Sequence, residues 1–252
     1  MERKPFYWRE MFTGSWDLFQ EAVGNPETIF VYDADGIMVN SPKIVLKRFT
    51  EKTGIRTNPS EINKWDYLTE LARKSGLSEE AIKHADDDWF KPEVLRVAQK
   101  YLYIRPVVEK TVNYYGPGRN FVLTSRNPYL KQSTIDYYAD EFPKIRSENI
   151  LIREDGGIDM AHSAGFKVKN LKALAEIAPW VVFVDDSTDF TKAVIDANIP
   201  NCLVINIPLG KTMPDFRHER LIVIKRYPEY LQAMYPLMFM VDRAINGRTS
   251  LK

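Results

Sequence analysis

The sequence has few of the residues that build disulfide frameworks or zinc sites. Its 252 residues include one cysteine, Cys202, and three histidines, His84, His162 and His218. One cysteine cannot form an internal disulfide, and no cysteine and histidine residues have zinc-ligand spacing. The histidines are scattered and are expected to be surface or loop residues. Metal binding through cysteine and histidine is therefore not predicted.

An excess of charge of one sign is also lacking. The chain has 35 basic and 34 acidic side chains, a net charge of +1. Nothing therefore favours nonspecific binding to nucleic acid, and no nucleic-acid partner is expected. The apolar stretch AMYPLMFMV is interrupted by Pro236 and too short to cross a bilayer, and the start MERKPFYWREMF lacks the order of a secretory signal. We expect a cytoplasmic protein with no membrane partner, of undetermined oligomeric state.

Three short apolar runs dominate the hydrophobic pattern: TIFVY (28–32), NFVLT (120–124) and WVVFV (180–184). Their β-branched residues and lack of polar alternation predict strands buried on both faces of a parallel sheet. Weaker strand predictions fall on NILI (149–152), NCLVINI (201–207) and RLIVI (220–224).

Helical segments alternate with these runs, and the alternation predicts an α/β fold with a doubly wound parallel sheet. The predicted helices of this core cover 105–116, 127–142, 168–178 and 189–198. Residues 41–104 contain helical patterns without a strand signal, and they predict a small helical domain inserted after the first strand. The core is then formed by residues 1–40 and 105–252.

The carboxyl ends of the three strong runs carry the polar residues of interest. In doubly wound sheets ligands bind beyond these ends. The first run is followed by Asp33 and Asp35, the second ends in Thr124 and is followed by Ser125, and the third is followed by Asp185, Asp186 and Asp189. Converging carboxylates need a counter-charge, and Mg²⁺ prefers such oxygen ligands. Hydroxyl and helix-start amide donors suit phosphate oxygens, as does the cation Lys167. The pattern predicts a site for phosphoryl transfer.

These motifs resemble those of the haloacid dehalogenase superfamily. FVYDADG is similar to its first motif, FVLTS to its second, Lys167 to its third and VVFVDDSTD to its fourth, in the same order. The resemblance covers about residues 28 to 208 and implies the Rossmann-like core of that superfamily, with the insertion as a helical cap. A lone Asp-x-Asp-Gly motif would be a weak signal, whereas four ordered elements at strand ends are a specific one.

The resemblance also implies roles for these residues. Asp33 matches the nucleophile that forms an aspartyl-phosphate, and Asp35 matches the general acid/base. The implied Mg²⁺ ligands are the Asp33 carboxylate, the Asp35 backbone carbonyl and the Asp185 carboxylate. Asp186 or Asp189 would support the metal from a second shell. Thr124, Ser125 and Lys167 would bind phosphate.

Several alternatives remain open from the sequence. Lys169 rivals Lys167, which is favoured because it would begin the helix near the pocket. Asp189 could instead be the N-cap of the following helix, and Thr124 could cap the helix after the second run. Arg126 could contact substrate or remain solvated. Trp65 and Trp89 could stack on a substrate base, or they could belong to the core of the insertion.

Because Asp35 is present, the resemblance implies a phosphatase rather than a dehalogenase. Within the superfamily the chain resembles the 5′(3′)-deoxyribonucleotidases in its Thr-Ser pair, its Asp-Asp pair and its aromatic-rich insertion. The expected activity is a Mg²⁺-dependent phosphomonoesterase acting on a small soluble phosphate, such as a deoxynucleoside monophosphate. The alternatives are another metabolite phosphatase, a phosphomutase and a non-catalytic phosphate-binding protein.

Overall fold

The computed structural model describes residues 12–58, 61–62, 66–100, 104–155, 160–208, 213–224 and 236–249. Each predicted strand is present, with ends that differ by a residue or so from the predicted runs. A two-residue strand near the start of the chain was not predicted. The strands are β1 (Phe12–Thr13), β2 (Ile29–Tyr32), β3 (Asn120–Thr124), β4 (Ile150–Ile152), β5 (Val181–Asp185), β6 (Cys202–Asn206) and β7 (Leu221–Ile224).

The strands form one sheet in the order β1-β7-β6-β5-β2-β3-β4. Neighbours from β7 to β4 are parallel, and only β1 pairs antiparallel, with β7. From β2 the chain builds β3 and β4 on one side, and it then returns to build β5, β6 and β7 on the other. This arrangement confirms the predicted doubly wound α/β fold and makes the β2–β5 boundary its topological switch point.

The continuous apolar runs arise because each central strand is covered on both faces. In β2, Phe30 and Tyr32 belong to one hydrophobic cluster, while Ile29 and Val31 belong to the cluster on the opposite face. Successive side chains of a strand point to opposite faces, so a strand buried on both sides lacks the alternation of polar and apolar residues seen in a half-exposed strand. The side chains of β5 alternate between the same two clusters, so β2 and β5 are both held by packing on their two faces.

Ten α-helices surround the sheet or form the insertion within the described residues. They are α1 (Trp16–Gly24), α2 (Ser41–Thr53), α3 (Tyr67–Lys74), α4 (Glu79–Lys83), α5 (Pro92–Val97), α6 (Ile104–Tyr115), α7 (Lys131–Glu141), α8 (Met160–Ile177), α9 (Thr188–Asp196) and α10 (Pro236–Thr249). None of the helices in the described ranges is long and apolar enough to cross a membrane.

The predicted start of α8 was wrong. The helix begins at Met160 rather than at Val168, so Lys167 lies in its third turn and not at its start. The segment before Val168 contains Ser163 and Gly165, which have low helix propensity, and local pattern alone did not extend the helix through them. Burial of Ser163 and Lys167 against the core shows that tertiary contacts override that propensity.

Helices α2 to α5 pack around a hydrophobic cluster of their own, centred on Val45, Phe49 and Leu68. The chain enters and leaves this insertion through two adjacent segments. Val39 and Lys100 form an antiparallel bridge, and the Asn40 backbone N–H donates to the Gln99 carbonyl at 2.8 Å. Asp35 thus lies beside the place where the chain enters and leaves the insertion, and α5 of the insertion also packs against α7 of the core.

Candidate active site

The candidate site lies at the carboxyl ends of β2 and β5, the two strands at the switch point. Tyr32 pairs with Val184 in the parallel register, and the Asp33 backbone N–H donates to the Val184 carbonyl at 2.8 Å. This register brings Asp33, one residue beyond β2, beside Asp185 at the end of β5. The convergence expected from the sequence follows from the pairing of these two strands.

Lys167 on α8 bridges the two carboxylates. Its Nζ donates to Asp33 Oδ1 at 2.7 Å and to Asp185 Oδ2 at 2.6 Å. The lysine side chain is only 1% exposed. Its ammonium also lies 4.0 Å from the centroid of the Phe190 ring, which adds a cation–π contact. Lys167 is therefore the buried counter-charge of this pair, while Lys169 is exposed on the same helix.

Burial and charge together set the protonation of this group. Burial raises the pKa of the Asp33 carboxyl to about 7; the Lys167 ammonium opposes this rise and the Asp185 carboxylate adds to it. Burial would lower the pKa of Lys167, but the Asp185 and Asp33 carboxylates outweigh burial and raise that pKa. Lys167 is thus held as a cation, and Asp33 is a carboxyl that a bound cation would readily ionise.

Asp186 completes a group of oxygen donors that fits a divalent cation. One carboxylate oxygen from each of Asp33, Asp185 and Asp186 lies within 4.8 Å of the other two. Oxygen-only donor sets suit hard cations such as Mg²⁺. Two of the three carboxylates are buried, and Lys167 supplies one positive charge to them. The chemistry of the donors and their excess negative charge both fit the expected Mg²⁺.

The Asp35 side chain is held by Arg126. The guanidinium donates from Nε to Oδ2 at 2.8 Å and from Nη2 to Oδ1 at 2.6 Å. The Ser41 hydroxyl, at the first residue of α2, donates to Oδ1 as well. Burial favours a raised pKa, but Arg126 and the Ser41 hydrogen bond outweigh it and hold the pKa of Asp35 below its usual range.

Gly36 provides both the turn after Asp35 and close access for Asp186. Its φ is +83°, a backbone conformation that side chains with a Cβ rarely adopt. A Cβ at this position would lie within 3 Å of the Asp186 carboxyl group. The glycine therefore lets the loop after β2 approach the Asp186 carboxylate, which lies just beyond β5.

Thr124 and Ser125 are both buried at the end of β3. The Thr124 hydroxyl oxygen accepts from the Arg126 backbone N–H at 3.4 Å, and the Ser125 hydroxyl donates to the Ser163 carbonyl at 3.4 Å. Asn127, not Thr124, caps the turn that follows, because its side chain accepts from the Tyr129 N–H. Thr124 and Ser125 lie on the strand next to β2, at the same edge of the sheet as the carboxylates.

The remaining residues singled out in the sequence lie farther from the cluster or outside the described ranges. Asp189 is exposed in the first turn of α9, and the N-cap of that helix is Ser187 rather than Asp189. Trp89 is partly buried and packs against the hydrophobic cluster of the insertion. Trp65 lies outside the residues that the structure describes.

Two buried arginines belong to this region; Arg126 was named from the sequence without its carboxylate partner, and Arg153 was not singled out. Arg126 is 8% exposed, so neither a solvated side chain nor a free substrate contact describes it. Arg153, after β4, is 2% exposed and donates to the Ser163 hydroxyl at 3.0 Å. Arg126 lies two residues beyond the predicted run 120–124 and Arg153 directly follows the predicted run 149–152, and these positions were the available signal. Their partners are distant in sequence or on another element, so the contacts themselves could not be predicted.

Comparison with known proteins gives a likeness in structure only. No family model matches the sequence, and no curated protein matches it significantly. A haloacid dehalogenase-like family hydrolase from Streptococcus pneumoniae is similar with a TM-score of 0.53 and 15% identity, over 82% of this chain and 98% of that one. Protein tyrosine kinase A from Mycobacterium tuberculosis is similar with a TM-score of 0.52 and 12% identity, over 82% and 96% of the two chains.

These two neighbours carry different activities in their names, a hydrolase and a kinase, so the likeness does not choose between functions. Both similarities span most of each chain. The chain has the fold of haloacid dehalogenase-like hydrolases.

Proposed function

We propose that this protein is a Mg²⁺-dependent phosphomonoesterase that works through an aspartyl-phosphate on Asp33. The observation that carries the proposal is the buried Asp33–Lys167–Asp185 bridge, with Asp186 beside it, at the topological switch point. This group combines a potential nucleophile, a cation for an anionic substrate and oxygen donors for a metal in one place.

The Asp33, Asp185 and Asp186 carboxylates would hold Mg²⁺ together with the backbone carbonyl of Asp35. When bound, the ion would offset the repulsion between Asp33 and an anionic phosphoryl group and would polarise that group. Asp186 enters this set because of its distance from the other two carboxylates. Asp189 is exposed on α9 and is assigned at most an outer role.

In the first step an Asp33 carboxylate oxygen attacks phosphorus, and the bond from phosphorus to the leaving oxygen breaks. The leaving oxygen keeps the electron pair and takes a proton from the Asp35 carboxyl. The approach of an anionic phosphate raises the pKa of a neighbouring carboxyl, so substrate binding itself favours the protonated form of Asp35. The products of this step are the alcohol and the aspartyl-phosphate.

In the second step water attacks phosphorus and gives a proton to the Asp35 carboxylate. The bond from phosphorus to Asp33 breaks, inorganic phosphate leaves and Asp33 returns to a carboxylate. Asp35 regains the proton that it gave to the alcohol, so the cycle balances. The low pKa of Asp35 beside Arg126 keeps this carboxyl deprotonated before the step, so that it can accept the proton from water.

Thr124, Ser125 and Lys167 are the proposed ligands of the phosphoryl oxygens. The two hydroxyl groups lie at the end of β3, next to the strand that leads to Asp33. Lys167 already spans the two carboxylates and could shift part of its hydrogen bonding to a phosphate oxygen. Hydroxyl and ammonium donors around one anion stabilise charge on the transferred group.

The helical insertion, residues 41–104, is proposed to act as a cap that covers the substrate. Its attachment beside Asp35 supports this proposal, because a lid at the strand ends can exclude water from the reaction. The substrate class is a small soluble phosphate. Trp89 packs into the insertion's own cluster, so a deoxynucleoside monophosphate is one candidate among several and no base-stacking residue is assigned.

Phosphate release from a panel of phosphomonoesters tests the proposal. The panel contains deoxynucleoside monophosphates, sugar phosphates, phosphoglycolate, benzyl phosphate and p-nitrophenyl phosphate, each with Mg²⁺ or with EDTA. We expect release that requires Mg²⁺ and that peaks on one class of phosphate. Release peaking on deoxynucleotides would support a nucleotidase. An inert protein across the whole panel, in assays where a known phosphatase is active, would contradict the proposed function.

Replacing Gly36 with alanine is expected to weaken metal binding. The added Cβ would displace the Asp186 carboxylate, and disturbing a metal's supporting contacts typically lowers affinity or activity by about 10- to 100-fold. The measurement is the Mg²⁺ concentration that gives half-maximal phosphate release. Gly54→Ala is the matched control, because Gly54 has a φ of +74° but open space around its Cβ position. Equal Mg²⁺ requirements in the two variants would contradict the expectation.

A further inference from the structure

Asp35 and Arg126 form a two-point ion pair in which the Arg126 side chain is 7% exposed and the Asp35 side chain is 29% exposed. Nε and Nη2 of the guanidinium each donate to a different oxygen of the same carboxylate, at 2.8 and 2.6 Å. Two parallel hydrogen bonds of this kind fix the plane of a carboxylate as well as its position. A single lysine ammonium in the same place could supply the charge but could not fix that plane.

Arg126 is itself held in place by its surroundings. Its Nη1 donates to the hydroxyl oxygen of Thr134 at 3.4 Å, and Thr134 is fully buried on α7. Its backbone N–H donates to the hydroxyl oxygen of Thr124 at 3.4 Å. The Arg126 backbone is thus fixed next to β3 and its guanidinium is fixed by α7, so the guanidinium can hold the Asp35 carboxylate in a defined position.

The two oxygens of Asp35 are not equivalent. Oδ1 accepts from Arg126 Nη2 and from the Ser41 hydroxyl, whereas Oδ2 accepts only from Arg126 Nε among the described residues. A carboxylate oxygen has two lone pairs in its plane, so Oδ1 is saturated and Oδ2 keeps one lone pair. Oδ2 is therefore the atom that is available to carry a proton.

We propose that Arg126 is a positioning residue that holds the Asp35 carboxyl plane so that Oδ2 transfers the proton. This inference rests on the proposed function, in which Asp35 protonates the leaving oxygen and later deprotonates water. Arg126 does not bind the phosphoryl group in this account. Its two-point pair is directed at Asp35, and Lys167 forms the separate pair with Asp33 and Asp185.

The test compares two substrates of similar shape, benzyl phosphate and p-nitrophenyl phosphate, in wild type, Arg126→Gln and Asp35→Asn. Benzyl alcoholate needs a proton to leave, but p-nitrophenolate does not. We expect Arg126→Gln to lower kcat on benzyl phosphate by about 10²-fold, the size of effect that misplacing a catalytic group produces. The KM is expected to stay within a few-fold of that of wild type.

With p-nitrophenyl phosphate as substrate, Arg126→Gln is expected to show an initial burst of p-nitrophenolate release. The first nitrophenolate, one per active site, should be released at nearly the wild-type rate, because no proton is needed. Later turnovers should be slow, because hydrolysis of the aspartyl-phosphate still needs the Asp35 base. A merely structural defect would reduce the number of active sites and so lower the amplitude of the burst. It would not produce a full burst followed by slow steady-state turnover.

Two further variants complete the test. Arg126→Lys keeps a buried cation, so it remains informative if Arg126→Gln fails to fold, and it should lose nearly as much kcat because it cannot form the two-point pair. The double variant Asp35→Asn with Arg126→Gln should be no slower than Asp35→Asn alone, because both changes remove the same function.

A raised KM together with a slowed burst in Arg126→Gln would overturn the inference, because it would show that Arg126 binds the phosphoryl group. A double variant much slower than Asp35→Asn would overturn it as well. In either case wild-type phosphatase activity would still stand. Wild-type protein without Mg²⁺-dependent release from any substrate of the panel would overturn both the function and the inference.

Discussion

Replacing Asp33 with asparagine is expected to reduce turnover by at least about 10⁴-fold, the scale seen when a covalent nucleophile is removed. The side chain keeps its shape, but an amide does not attack phosphorus and is a poorer ligand for Mg²⁺. Asp33 is buried one residue beyond β2 and is paired with the Lys167 ammonium. The rate of phosphate release on the best substrate of the panel measures the effect.

Asp189→Asn is the matched control for this change. Asp189 is an exposed aspartate close in sequence to the cluster, in the first turn of α9. Its replacement should leave turnover within a few-fold of wild type. Circular dichroism and thermal unfolding should show that both variants are folded. An Asp33→Asn protein that retains turnover would rule out the aspartyl-phosphate mechanism.

Replacing Lys167 with methionine is expected to destabilise the metal-free protein. Removing one partner of a buried ion pair typically costs about 3–5 kcal/mol, because the other charge stays buried without compensation. Here Asp33 and Asp185 would face each other without the ammonium that now bridges them. Urea unfolding in EDTA measures the free energy of unfolding, and the loss should be partly reversed by Mg²⁺.

The pH dependence of this loss has a definite sign. Without Lys167 the pKa of Asp33 rises further above 7, since Lys167 is the group that lowers it. A carboxyl whose pKa is raised on folding contributes stability at low pH that is lost as the pH rises through its folded pKa. Lys167→Met should therefore destabilise the protein more at pH 8 than at pH 5.

Lys169→Met is the control for this pair of lysines. Lys169 is exposed two residues farther along α8, so its replacement should change the free energy of unfolding by no more than about 0.5 kcal/mol. Equal stability of the Lys167 and Lys169 variants in EDTA would show that the buried bridge is not what holds these carboxylates.

The sheet could be predicted because its signal is local. The β2 strand and the first four residues of β5 lack polar alternation, a pattern typical of a strand covered on both faces. The carboxylates at their ends followed from the rule for parallel sheets. The start of α8 could not be predicted, because Ser163 and Gly165 are weak helix formers and the helix there depends on packing.

The side-chain contacts within the candidate site could not be predicted from the sequence. Asp35 and Arg126 are 91 positions apart, and their pairing depends on β2 and β3 being neighbours. The sequence favoured Lys167 over Lys169 for the wrong reason, a helix start. Lys167 reaches the carboxylates because of the face of α8 on which it lies, and that face is set by packing against the sheet.

The most direct measurement of the central claim is a search for the phosphorylated residue itself. Wild-type protein is mixed with a labelled substrate of the panel and Mg²⁺, quenched with acid within a turnover and mapped by peptide mass spectrometry. The account predicts label on the peptide that contains Asp33, and none in EDTA or in Asp33→Asn. Phosphate release without any label on Asp33, or label on another residue, would contradict it.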